Sequence, residues 1–229
     1  MKSLKERFER FVTSFEDFEK IDALLKPDTP HGKDRADYLL WNRKIIVEQK
    51  SLGATDPTDA IQRFYDSKLK DDGSIIYGTV PITPIFARRS DGQKLHHNLV
   101  LRLSRLIERD VKKADNQTMD TREIFSIPDS TGVLVLLNDQ VKILTPQMIH
   151  YRLSEVFRRK TDDGGLRYPN NNGVILICET PARNPAEGIL AHMMAFISPN
   201  RLNADIVNEL YKSLYPRWLK FNNYRGVIT

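Results

Sequence analysis

The sequence predicts an α/β protein, with a mixed central sheet flanked by helices on both faces. Three observations carry this. Short apolar runs at 132–137 and 174–178 alternate with amphipathic stretches of helical period. The stretch 36–50 reads as a β-hairpin. The 229 residues are 40% hydrophobic and 28% charged, a balance that supports a globular core.

Composition narrows the partners. No apolar run approaches the roughly 20 residues a membrane helix needs, so no membrane partner is expected. The opening Met-Lys-Ser-Leu-Lys-Glu has no apolar signal core behind it, which argues for a cytoplasmic chain. The one cysteine, Cys178, lies in an apolar run and reads as a buried, inert thiol, consistent with a reducing compartment. A formal net charge of +5 and a pI near 9.2 favour a polyanionic partner. No internal repeat or low-complexity tract is present, and no domain boundary stands out.

Residues 3–25 read as one amphipathic helix, with Leu4, Phe8, Phe11, Phe15 and Phe18 as its buried stripe and Ser3 and Glu6 as a capping box. Glu9, Glu16, Glu19 and Asp22 lie off or beside that stripe, with Glu19 and Asp22 best placed to reach the hairpin. A polar loop, 26–35, leads into the hairpin. Gly53 to Pro57 is a turn, and Asp56 or Thr58 caps a helix over about 58–70 that carries Gln62 and Tyr65. A strand over 75–84 follows, weakened by Pro81 and Pro84.

The next helix spans 93–113, with Leu99, Leu103, Leu106 and either Asp110 or Ile107 inward. Arg102, Arg105, Arg109 and Lys112 recur at i, i+3, i+7 and i+10. This basic stripe is either a solvated face or a track for phosphates. Residues 114–130 read as a long polar loop, and 132–137 as a strand buried on both faces. Thr145-Pro146 opens a helix to about Lys160, with Ile149, Leu153, Val156 and Phe157 inward and a basic C-terminus. After a polar loop comes the strand 174–178. The stretch 189–197 is either strand or buried helix, and His192 within it is a packed or surface histidine. Asn203 caps a last helix with Ile206, Val207, Leu210 and Leu214 inward, and Pro216 is expected to end it.

The hairpin carries the chemistry. With Asn42-Arg43 as its loop, residues whose numbers sum to 85 face each other, so Leu39 opposes Ile46 and Asp37 opposes Glu48. Lys50 is two residues past Glu48 and points to the same face. Opposed like charges repel, so two carboxylates at the end of an apolar hairpin call for a cation between them. A hard divalent ion, Mg²⁺ or Mn²⁺, suits oxygen ligands, and the Gln49 carbonyl is within reach of it. These are the residue types of metal-assisted phosphodiester hydrolysis, with Asp37 and Glu48 holding metal and Lys50 acting on the attacking water or on phosphorane charge.

Asp37, ten intervening residues, then Glu48-Gln49-Lys50 resembles the PD-(D/E)XK nuclease superfamily. In that fold a helix precedes a hairpin carrying Asp and Glu-x-Lys, and a helix and a further strand follow. The resemblance covers about residues 1–87. It implies a restriction-endonuclease-like core over about 1–90, with a C-terminal α/β extension over about 91–229, all in a single domain. It further implies a Mg²⁺-dependent nuclease, with an N-terminal helix acid contacting metal: Glu19, or else Glu16 or Asp22. Gln62 and Tyr65 loosely match a Gln and Tyr that exonuclease-like members carry after the motif, at a spacing one residue shorter. The chain departs from the pattern at Ala36, where proline is common, and no first strand is visible between Leu25 and Arg35. The expected substrate is DNA, with RNA open, and endonuclease is favoured for a restriction, defence, mobile-element or repair role. A homodimer is open. The alternative is a non-catalytic nucleic-acid-binding or assembly protein on the same fold.

Overall fold

A computed structural model describes residues 2–25, 34–53, 57–68, 86–181, 189–199 and 201–224. The elements run α1 (Leu4–Val12), β1 (Glu19–Lys20), α2 (Ile21–Leu24), β2 (Tyr38–Leu40), β3 (Ile45–Ser51), α3 (Pro57–Lys68), α4 (Gly92–Phe125), β4 (Thr131–Asn138), α5 (Pro146–Phe157), β5 (Asn171–Pro181), β6 (Ile189–Ile197) and α6 (Ala204–Phe221). The six strands form one sheet in chain order. β1, β2 and β3 pair antiparallel, β3–β4 and β4–β5 pair parallel, and β5–β6 is antiparallel. The mixed α/β sheet is therefore as expected. The C-terminal strands continue the same sheet, β4 pairing with β3, β5 with β4 and β6 with β5.

Helices cover both faces. Residues of α4 and α5 pack with Leu134, Leu136, Val174 and Leu176 on one side. On the other, α1 and α6 pack with Val47, Val133, Val135 and Ile175. β4 is buried along its whole length, as its unbroken apolar run requires. Among the described residues, no helix is long and apolar enough to cross a membrane.

Where the local signals are strong, the elements fall as read. Ser3 and Glu6 form the capping box, with Ser3 Oγ accepting from the Glu6 amide and the Ser3 amide donating to Glu6 Oε2. Thr145 caps α5 with Pro146 in its first turn, and the four expected residues of its core face are buried. Cys178 is buried on β5, which pushes its thiol up to about 12.

Four expectations are corrected, and one left open is resolved. The helix over 3–25 stops at Val12, because Thr13 and Ser14 donate their hydroxyls to the Arg10 and Phe11 carbonyls, and Glu19–Lys20 is drawn into the sheet beside β2. The helix over 93–113 runs on to Phe125, so 114–125 is not loop. Its polar residues find buried partners: Asp115 accepts from the Asn170 and Asn171 amides, and Thr121 from the Ala36 amide. The last helix passes through Pro216 to Phe221. Proline removes one helical hydrogen bond there, while Trp218, 1% exposed, anchors the following turn against Phe8 and Phe11. Asn203 precedes that helix in a left-handed conformation, φ 57°, without a side-chain cap bond. Of the two forms open for 189–197, the strand is the one adopted. The strand at 75–84, most of the loop at 26–35 and the Asp56 cap lie outside the described residues.

Candidate metal and phosphodiester site

The hairpin folds in the expected register. Tyr38 opposes Val47, Leu39 opposes Ile46 and Leu40 opposes Ile45. The turn takes four residues, 41–44, closed by the Lys44 amide donating to the Trp41 carbonyl at 3.1 Å. Trp41, Asn42 and Arg43 have positive φ, the conformation that tight hairpin turns demand.

At the open end of the hairpin, Asp37, Glu48 and Lys50 come together. Asp37 Oδ2 accepts from the Gln49 amide at 2.7 Å. Lys50 Nζ donates to Glu48 Oε1 and, at 2.9 Å, to Gln117 Oε1. Gln117 in turn donates to the Arg35 carbonyl at 2.5 Å, tying α4 to the segment that enters the hairpin. Glu48 is 1% exposed, Asp37 and Lys50 are half-buried, the Asp37 and Glu48 carboxyls interact directly, and no amide, hydroxyl or cation reaches the buried Glu48 Oε2. The Gln49 side chain turns to the other face, where its Oε1 accepts from the Tyr38 hydroxyl at 3.2 Å.

The electrostatics follow from this packing. Burial raises Glu48, and the adjacent Asp37 charge raises it further, to about 8 although Lys50 opposes the shift. Burial also raises Asp37, against the Gln49 amide and the Lys50 charge, which favour its ionised form. Without a cation the pair therefore favours carrying a proton. Asp37, Glu48 Oε2 and the Gln49 carbonyl could hold a divalent ion. Among the described residues, no group of three or more His, Cys, Asp or Glu gathers around one point. Two carboxylates completed by waters and substrate phosphate are a common way of holding Mg²⁺.

The remaining candidates are dispersed. Glu19 stands on β1 opposite Leu39, and both its carboxylate oxygens accept from Arg43, at 2.9 and 2.7 Å, which draws it toward the turn. Asp22 accepts from Arg35 at 3.0 Å, and Glu16 lines a concavity with Phe15, Trp41 and Arg217. The acid on α1 whose charge reaches the hairpin is Glu9. It pairs with Lys5 at 3.8 Å, and its charge adds to burial and to the Asp37 charge in raising the Tyr38 hydroxyl. Gln62 is exposed and donates to Asp66 on its own helix; Tyr65 packs against the core beside α4. Arg105, Arg109 and Lys112 line one cleft, whereas Arg102 is half-buried and outside its lining.

Sequence reasoning missed Gln117 and the cations that α5 and the segment after it bring to that cleft. A signal for Gln117 was present: Ile107, Asp110, Ala114, Gln117 and Thr121 continue the inward helical spacing through a stretch whose polarity suggested a loop. No family model, curated protein or solved structure matches the chain.

Proposed function

We propose that the chain is a metal-dependent nuclease of the restriction-endonuclease-like class, hydrolysing phosphodiester bonds, with DNA as the favoured substrate. One observation carries the reading: Asp37 and Glu48 converge at the open end of a buried hairpin, with Lys50 bonded to Glu48 and with Glu48 Oε2 unspent. The order of a helix, an antiparallel hairpin bearing Asp and Glu-x-Lys, a helical crossover and a strand beside β3 supports it further.

Asp37 and Glu48 would hold Mg²⁺ or Mn²⁺, which when bound supplies an acidified water and neutralises phosphate charge. The Gln49 amide fixes one oxygen of Asp37, leaving the other for the ion. Gln117 orients Lys50 Nζ from the α4 side. Lys50 is then positioned to stabilise phosphorane charge, or to position the attacking water.

Incubation of plasmid DNA and RNA with the purified protein in Mg²⁺, in Mn²⁺ and in EDTA tests this. Cleavage is expected with either metal and not in EDTA. Glu48→Gln and Lys50→Ala should each lower the rate at least about 100-fold. If the protein binds nucleic acid but neither metal supports cleavage of any DNA or RNA form, the reading fails and a non-catalytic binding protein remains.

A further inference from the structure

We infer that the cleft between α4 and α5, which no hairpin residue lines, is a groove for the phosphodiester backbone of a nucleic acid; the choice of anion rests on the nuclease reading. The cleft encloses about 660 Å³. Arg105, Arg109 and Lys112 line it from α4, and Arg152, Arg159 and Arg167 from α5 and the segment beyond. One carboxylate, Glu108, stands among these six cations. The lining thus carries a positive excess equal to that of the whole chain.

The site is built rather than incidental. Glu108 accepts from Arg152 at 3.2 Å and from Arg159, so a single carboxylate holds two guanidiniums across the helix interface without neutralising both. Arg152 is anchored again by Glu155 at 3.1 Å, and its Nε is buried without an acceptor. Arg105 and Lys112 are exposed and have no carboxylate partner among the described residues. Arg109 meets Asp110 at 3.3 Å but keeps 61% of its side chain in solvent.

Spacing selects the ligand. From Arg105 to Lys112 the helix rises about 10 Å, at about 1.5 Å per residue. That is about three steps of a strand whose phosphates recur every 3.4 Å or so along the axis. A single small anion would need the cations to converge; a row of them suits a repeating charge. Tyr168 is buried beneath Arg167, whose guanidinium lies 6.0 Å from the ring centroid, so its ring is closed to base stacking. The groove therefore grips the backbone without reading sequence.

The test is a salt titration of binding by the full chain in EDTA, using labelled duplex DNA, single-stranded DNA and single-stranded RNA. The variants are the triple Arg105→Ala/Lys112→Ala/Arg167→Ala, the charge-keeping Arg105→Lys/Arg167→Lys, and Arg102→Ala outside the cleft. The triple variant should bind at least about tenfold more weakly, with a salt slope shallower by about two to three, since each lost phosphate contact removes about 0.9. The lysine pair and Arg102→Ala should keep the wild-type slope, with matching thermal melts showing that each variant is folded. Wild-type affinity and slope in the folded triple variant overturn the groove, as does a wild type that binds none of the three probes. Loss of binding in the triple variant with no metal-dependent cleavage by the wild type leaves the groove standing and removes the nuclease. Cleavage by the wild type with unchanged binding by the triple variant does the reverse.

Discussion

Glu48 is the residue with most to gain from a cation. Its carboxyl is 1% exposed beside a second carboxylate, and its folded pKa near 8 lies well above the ordinary value of 4.5. A carboxyl raised on folding binds more protons in the native state than in the unfolded one between those values, so stability falls as pH rises through that window. In EDTA the wild type should lose stability from about pH 5 to about pH 8, by an amount of the order of a few kcal/mol. Glu48→Gln should show a flatter profile and be the more stable protein at pH 8. Added Mg²⁺ should raise the wild-type melting temperature at pH 8 and leave the variant unmoved. Parallel pH profiles in melts of the two proteins would sink the idea that Glu48 is held protonated.

At the scale of elements, the length of α4 decides where the site sits. Its last three turns pack on the hairpin and on the start of β5 through Gln117, Thr121, Asp115 and Arg122. Close approach there depends on Gly132. A Cβ at that position would lie 2.2 Å from the Asn170 carbonyl oxygen and 2.6 Å from Thr118 Cγ2. Gly132→Ala should therefore cost about 2–3 kcal/mol in urea unfolding, since backbone rather than a flexible side chain must yield. Little of this was legible beforehand. The stretch 114–130 is polar, and polarity suggested a loop; the partners that make its polar groups buriable, Asn170, Asn171 and Arg35, are 48 or more residues away in the chain.

Across the whole molecule, Arg7 fastens the first helix to the last. It is 9% exposed, pairs with the buried Glu179 of β5, and donates to Asn222 Oδ1 at 2.8 Å and the Tyr224 hydroxyl at 2.7 Å. Arg7→Ala strands a buried carboxylate and should cost about 3–5 kcal/mol, whereas Arg7→Met combined with Glu179→Met should recover most of that loss. Chemical denaturation of the two variants checks this; equal losses would show that the pair itself supplies the stability.

By itself, the sequence determined what depends on neighbours a few residues apart. The hairpin register places Asp37 across from Glu48; the caps at Ser3 and Thr145 start their helices; the apolar run of β4 marks a strand buried on both faces. The tertiary structure decided what depends on distant partners. It broke the first helix to supply an edge strand, extended α4 through polar residues, carried α6 past Pro216 and drew Glu19 to Arg43. It also brought Arg152, Arg159 and Arg167 opposite Arg105 and Lys112. The division has one physical cause. Periodicity and capping are encoded within a turn or a strand pair, whereas a polar group's place inside or outside depends on whether a partner from elsewhere in the chain can satisfy it.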